Sequence, residues 1–329
     1  PYLKYNFSSM LLFSASIALS DYFRAKLLTG FPWNLWAYST SWASEVLQVL
    51  NIVGLHSYNL FVITFFTLPL IFFFQTSITK KIIYFIFIMT SLLCVHIHGN
   101  YVINKNEKLL EQIDEKFFVK IISPNFNLEY GLGKADIENR FKKLIRYSNP
   151  EKNKKTLFIW PEGVFSGYSY DEILVFKNII SENFSKNHFI IFGTNKLDTK
   201  SGNYFNSMIV INNAFEVIQR YDKTKLVPFG EFLPFENFLN NLGLKKVTEG
   251  HGSYLKGVNK NNLIFEKLNI LPLICYEVIF NDLIQKSSDE TNLIINISED
   301  GWFGKSIGPH QHFVKTIFRA IENDTFLLR

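Results

Sequence analysis

Cysteine is almost absent from this chain, which carries two in 329 residues. Cys94 lies in a long apolar stretch and Cys275 ends a short one, so no disulfide framework is available, and a lone thiol in an exported domain invites a reactive role. The plainer alternative is that Cys275 belongs to the core, since cysteine is among the most buried residue types. A metal-binding pattern is also lacking. His310 and His312 are two apart, which does not put both on one helix face, and no further Cys or His cluster supports them, so neither a metal nor another cofactor is expected. The net charge of +5 is modest and spread along the chain. Its densest basic run, Lys152-Asn153-Lys154-Lys155, reads as a solvated turn, and no nucleic-acid motif accompanies it, so nucleic acid is not expected as a partner. No internal repeat or low-complexity tract appears in the polar half. No small-residue cleavage site follows the first apolar stretch, which argues against a signal peptide there.

What the chain has instead is two unlike halves. Up to about residue 100 it is dominated by Phe, Ile, Leu and Tyr, and from about 104 onward charged stretches alternate with brief apolar runs. Residues 7–28, 54–75 and 82–98 each approach the ~20 apolar residues that a membrane helix needs. The second is the clearest, because it carries no charge from Leu60 to Phe74. The first is interrupted by Asp21 and Arg24, which can pair on one helix face and turn toward a bundle interior. Residues 29–36 read as an interfacial loop rich in Trp, Gly and Pro, and 42–52 as a short amphipathic or re-entrant helix. Lys80-Lys81 and Lys4 favour the cytoplasmic side, with Arg24 and Lys26 weighing mildly the other way, so the chain after His98 is expected outside the cytoplasm. The expected organisation is a transmembrane portion at 1–103 and an extracytoplasmic catalytic domain at 104–329.

In the second half, strands are expected near 117–123, 156–160, 188–194, 207–211, 216–221, 263–266, 270–276 and 293–298, with helices near 134–148, 172–184, 281–287 and 310–323. Alternating strands and helices, with a hairpin around Asn212-Asn213, indicate a layered α/β domain of mixed sheet. Three short strand-like runs hand a reactive side chain to their carboxyl ends, where α/β proteins gather their chemistry: Glu162, Lys223 and Cys275. A thiol of pKa ~8.5 attacks as thiolate, so Cys275 needs a base or a cationic neighbour. Glu162 suits the base, and Lys223 suits stabilisation of a thiolate and of the oxyanion formed when a carbonyl is attacked. Each residue has a plain alternative: Glu162 could start a turn, Lys223 could be a surface lysine, and Glu277 could cap the next helix. Together and in order they read as an acyl-transfer site. Tyr276 would face opposite Cys275 along an extended strand and pack or line the pocket.

Trp160-Pro161-Glu162-Gly163, Tyr221-Asp222-Lys223 through Glu231, and Ile274-Cys275-Tyr276-Glu277 resemble the three signature blocks of the nitrilase superfamily. Thr29-Gly30-Phe31-Pro32-Trp33 and Asp300-Gly301-Trp302-Phe303-Gly304, running on to His312, extend the resemblance to the bacterial apolipoprotein N-acyltransferase family. The resemblance implies an α/β fold, a four-layer αββα sandwich attached to transmembrane helices, and a Glu162–Lys223–Cys275 triad. It also implies supporting roles for Glu231, eight positions after the lysine, and Glu277, two after the cysteine. The implied reaction moves a fatty acyl chain from a phospholipid, through a Cys275 thioester, to the amino group of an apolipoprotein's N-terminal diacylglyceryl-cysteine. The implied setting is the bacterial inner membrane, multi-pass, with a monomeric enzyme whose catalytic domain is periplasmic. The chain opens at Pro1 without a methionine and ends at Arg329 ahead of the family's last strands and closing span, so an internal fragment is expected.

Two rivals remain on the sequence alone. A membrane-anchored carbon-nitrogen hydrolase would use the same triad with water as second substrate, although a small soluble amide gives no reason for membrane attachment. A transporter or receptor with a relic domain would be expected to have lost a triad residue. Trp302, between Gly301 and Gly304, and Phe229, Phe232 and Phe235 are expected to form aromatic loops that line and gate a lipid entrance; their plain reading is core filling.

Overall fold

The computed structural model describes residues 6–111, 118–129, 131–236, 243, 252–258, 261–284 and 291–329. The chain divides into two compact units. The first comprises Pro1–Asp114, Ile279–Asn281 and Gln311–Thr325, and the second Glu115–Val278, Asp282–His310 and Phe326–Arg329.

The first unit is helical. Helix α1, Phe7–Lys26, is capped by Asn6, whose side chain accepts from the Ser9 N–H at 2.9 Å. Near its end Arg24 donates to Asp21 at 2.7 Å, and the other Asp21 oxygen accepts from Asn59 at 2.9 Å. The Asp21–Arg24 pair expected from their spacing thus faces the bundle, where Asp21 and Asn59 are buried. A short helix α2, Ser44–Leu47, leads into α3, Leu50–Phe66. The uncharged run expected to be the clearest span is broken at both ends: Gly54 has φ 73°, outside the helical region, and Pro69 enters a 3-10 turn, Leu68–Phe73. The run is apolar throughout, but its backbone does not hold one helix of spanning length. The third stretch is longer than expected, becoming α4, Ile78–Leu110, with Lys80 and Lys81 in its first turn. Among the described residues it supplies the one helix long and apolar enough to cross a membrane, Ile78–Leu109. Gly99 lets this helix approach α2 closely, since a Cβ there would lie 1.8 Å from the Glu45 carbonyl oxygen.

The second unit is built on two sheets. Strands β1 (Phe118–Ile121), β2 (Thr156–Ile159), β3 (His188–Leu197), β4 (Tyr204–Ile211) and β5 (Val217–Asp222) lie side by side in chain order. The first three are parallel, and β3–β4–β5 form an antiparallel meander whose last turn is the expected hairpin. The second sheet runs β6 (Leu263–Phe265), β7 (Leu268–Ile274), β8 (Leu293–Ile297) and β9 (Phe326–Leu328), the last being a short parallel edge strand that its three residues do not announce.

Strand β2 explains the layering. Every residue in it is buried, and successive side chains alternate faces: Leu157 and Ile159 enter the core between the sheets, while Phe158 and Trp160 enter the core beneath the helices. Helix α5, Lys134–Ser148, sends Ile137, Phe141 and Leu144 into that second core from one face. It stops at Asn149, whose φ of 40° is left-handed, before Pro150. The helix expected near 172–184 is instead two short pieces, α6 (Tyr170–Ile173) and α7 (Lys177–Asn183), joined by a 3-10 turn. Helix α8, Asn281–Ile284, follows the turn that ends β7, and α9, Gly308–Glu322, completes the set.

Candidate active site

Glu162 leaves the end of β2, and Gly193 on the neighbouring strand makes room for it. A Cβ at 193 would sit 2.9 Å from the Glu162 Cα, a contact that real side chains do not make. Both carboxylate oxygens are held: Oε1 accepts from Asn206 Nδ2 at 2.9 Å and Oε2 from the Glu299 N–H at 3.0 Å. Lys223 follows β5, and its backbone N–H donates to the Asn206 carbonyl at 2.9 Å. Its side chain is 1% exposed, with Nζ 2.8 Å from Glu231 Oε1 and 4.0 Å from Glu162 Oε1. Asn206 Nδ2 also donates to Glu231 Oε1 at 2.9 Å, so one amide fixes the two carboxylates on either side of one ammonium. The Val227 N–H completes Glu231 at 2.8 Å.

Cys275 begins a 3-10 turn immediately after β7 and has φ 50°, a left-handed conformation rare outside glycine. The backbone of this turn is tied down. The Asn296 amide donates to the carbonyls of Leu273 and Cys275 at 3.2 and 3.3 Å, and Arg329 donates to the Asn296 side-chain oxygen. Such backbone strain, of order 1–3 kcal/mol, survives only where surroundings enforce it, and it is concentrated at functional positions. Because Cys275 starts the turn, strand alternation does not apply to Tyr276, which is nevertheless buried at 8% exposure.

Glu277 is fully buried and joins two of the strand ends. Oε1 accepts from the Tyr221 hydroxyl, the Thr224 N–H and hydroxyl and the Lys225 N–H at 2.7–2.9 Å, and Oε2 accepts from the Ile274 N–H at 2.9 Å. It thereby clamps the segment carrying Lys223 to the segment carrying Cys275 instead of capping a helix. Burial pushes its pKa up, and the backbone N–H donors pull the other way.

The charges are arranged unequally. Burial first, and then the Glu162 charge, push the Cys275 thiol up to about 12, against Lys223 and a hydrogen bond with Ser298. Burial and the Glu231 charge raise Glu162, opposed mainly by Lys223. Burial works against the Lys223 charge, but Glu231 and Glu162 outweigh it and hold the ammonium protonated. The resting cysteine is therefore a thiol beside a carboxylate, an arrangement in which attack by sulfur would require a base to remove its proton.

The site also contains residues that sequence reasoning missed. Asn206 lies inside a strand and carries no positional signal. Tyr254, whose backbone N–H donates to the Glu231 carbonyl and whose hydroxyl donates to Asn195, lies in an irregular segment. Burial, with the Glu231 and Glu162 charges, raises its pKa. Trp302 is 49% exposed, as is Phe229, so neither fills the core. His312 packs its ring 5.5 Å from Trp33 within the first unit.

The sequence profile described as carbon-nitrogen hydrolase matches residues 126–329, more than half of the chain. The chain belongs to the carbon-nitrogen hydrolase family. A second profile, the N-terminal domain of apolipoprotein N-acyltransferase, matches residues 2–68. The apolipoprotein N-acyltransferase of Rhodopseudomonas palustris is 28% identical over 334 residues, covering 97% of this chain and 62% of the relative. That of Rickettsia prowazekii is 30% identical over 337 residues, covering 100% of this chain and 65% of the relative. The chain thus spans less than two thirds of the length of either relative. Among solved structures, the carbon-nitrogen hydrolase of Helicobacter pylori aligns with 65% of this chain and 74% of its own, at 14% identity and a TM-score of 0.43.

Proposed function

We propose that this chain carries the chemistry of an apolipoprotein N-acyltransferase, moving a fatty acyl chain from a phospholipid to the amino group of an N-terminal diacylglyceryl-cysteine. The observation that carries the reading is the buried Lys223 ammonium held between Glu231 and Glu162, together with the strained cysteine turn clamped beside it. In the first half reaction Glu162 takes the Cys275 proton while sulfur attacks the ester carbonyl. Lys223 stabilises the oxyanion. As the tetrahedral intermediate collapses, the ester C–O bond breaks and Glu162 returns the proton to the departing lysophospholipid. In the second, the acceptor amine attacks the thioester, Glu162 takes the amine proton, and sulfur leaves to regain it, yielding an amide and the free thiol. Asn206 and Glu277 act through these groups by holding their positions.

The long apolar helix Ile78–Leu110 suits a bilayer setting in which both lipid substrates are supplied from the membrane. By the positive-inside rule, Lys80-Lys81 favours a cytoplasmic start to this helix and a periplasmic side for the chain after it. We read the enzyme as a multi-pass inner-membrane protein on this basis.

The test is to incubate the protein with phospholipid and measure the intact mass. One acyl chain should appear on Cys275 through a hydroxylamine-sensitive bond, and Cys275→Ser should abolish it. An unchanged mass would count against covalent acyl transfer, and free fatty acid released in place of transfer to an amine would indicate a hydrolase.

A further inference from the structure

A second polar feature lies within the first unit. Lys315, on α9, is 2% exposed, and its ammonium sits 4.4 Å from the Trp33 ring centre and 4.5 Å from that of Tyr38. Among the described residues no carboxylate pairs with it. Arg319, one turn further along, has Glu322 at 2.7 Å, which leaves the Lys315 charge in surplus. The Tyr38 hydroxyl nearby is buried and has no hydrogen-bond partner among the described residues. Two aromatic faces offset only part of the cost of removing an ammonium from water. Burial alone lowers the Lys315 pKa to about 8. A buried cation beside an orphaned hydroxyl needs an anion from outside.

The space for one is present. Trp33, Tyr38, Ser39, Gln311 and Lys315 line a cavity of about 380 Å³, within the range of small-molecule sites. The Trp33 indole N–H donates to Gln311 Oε1 at 2.8 Å, which fixes that amide with its own N–H donors still available. Lys315, Tyr38 and Gln311 then supply a cation and two neutral donors, a set that suits phosphate oxygens, while the Ser39 hydroxyl is already spent on the Trp36 carbonyl at 2.7 Å. Trp36 and Trp42 in the same segment are 53% and 82% exposed, and exposed Trp beside an apolar helical unit favours the lipid–water interface.

We propose that this cavity is a phosphate subsite that takes the phosphodiester of a phospholipid headgroup. The choice of phospholipid over free phosphate rests on the functional reading above and on the exposed tryptophans.

Titration calorimetry on the detergent-solubilised protein tests it with three probes: dihexanoylphosphatidylethanolamine, dihexanoylglycerol, which lacks the phosphate, and inorganic phosphate. The phospholipid should bind, Lys315→Gln should weaken it at least tenfold, and Lys315→Arg should largely restore it. Gln311→Ala, at an exposed position that a fold defect would spare, should weaken it less. Dihexanoylglycerol should bind equally weakly to all forms. Equal phospholipid affinity in the wild type and Lys315→Gln would overturn the proposal. So would Lys315-dependent binding of inorganic phosphate without binding of the phospholipid, which would make the site one for a free anion. Cys275 acylation, followed separately by mass, keeps the two readings distinct: its absence sinks the function while Lys315-dependent lipid binding stands.

Discussion

In the unit that holds Cys275, strands β2 and β8 are buried at every position, whereas on the helix Ile78–Leu110 the residues Ile83, Ile86, Phe87 and Leu93 are each more than half exposed. The polar residues exchange places accordingly. Asp21, Asn59 and Arg319 are buried in the first unit, and Lys152 to Lys154 are exposed in the second. The first unit thus exposes apolar side chains and buries polar ones, and the second does the reverse. The exception in the second unit is its site, where Lys223, Glu277 and Glu162 are withdrawn from solvent and each is held by fixed partners. Burying charge this way destabilises a protein unless the pairing is complete.

The largest expected effect tests that exception. Lys223→Ala leaves Glu162 and Glu231 facing each other without their cation and removes the group proposed to hold the oxyanion. Acylation of Cys275 should fall about 10²–10³-fold. On the proposed mechanism, in which one carboxylate handles the proton in each half reaction, Glu162→Gln should suppress both acylation and transfer. Thioester formation at the normal rate in Glu162→Gln, followed by rapid quench and mass measurement, would remove Glu162 as the base.

Next in size is a break in the comparison itself. Phe87 is 66% exposed on the long helix. If lipid surrounds that face, Phe87→Asp should cost roughly 2.5–3.5 kcal/mol of insertion free energy. If water surrounds it, the substitution should be nearly neutral. Membrane-integrated fraction against soluble fraction after expression separates the two outcomes.

The sequence displays the site more fully than the helices, for a physical reason. Glu162, Lys223 and Cys275 each follow the carboxyl end of a strand, Glu162 and Cys275 after apolar runs and Lys223 after the mixed run Val217–Asp222, and that position is visible in the sequence. Asn206 and Tyr254 reach the same place from a mid-strand position and an irregular segment, where no periodicity marks them. Glu277 was visible as a residue, but its clamp requires knowing that Thr224 and Ile274 come together, which is a tertiary fact. For the helices, hydropathy reports what a segment dissolves in and says little of its backbone. The run at 54–75 reads as continuous because Gly54 and Pro69 are themselves uncharged, although they are where the helix breaks.

A smaller change sharpens the electrostatics of the site. The Glu231 charge raises the Glu162 pKa, so Glu231→Gln should lower it. The base then stays deprotonated to lower pH, and the acidic limb of the pH–rate profile should move toward acid. The maximum rate should fall as well, because Lys223 loses a charged partner at 2.8 Å. A limb that stays in place or moves toward alkali would mean that another group governs it.

The smallest change in stability is expected at Trp302. The 3-10 turn Asp300–Phe303 carries it at 49% exposure, outside any packed core, so Trp302→Ala should leave thermal stability within roughly 1 kcal/mol. The two glycines beside it differ. A Cβ at Gly304 would meet nothing, whereas one at Gly301 would lie 2.6 Å from Glu299 Oε1 and 3.2 Å from Leu128 Cβ. Space is therefore closed at Gly301 and open at Gly304. On the other side, Glu299 accepts from the Gly301 N–H at 2.9 Å and donates its own N–H to Glu162 at 3.0 Å, so the base of the turn is fastened to the carboxylate of the site. If the exposed indole guides lipid toward that site, Trp302→Ala should slow acyl transfer from vesicle phospholipid while sparing transfer from a short-chain, water-soluble ester that needs no guidance. Equal slowing with both donors would mean that the substitution acts through the Glu299–Glu162 contact, and normal rates with both would remove Trp302 from lipid entry.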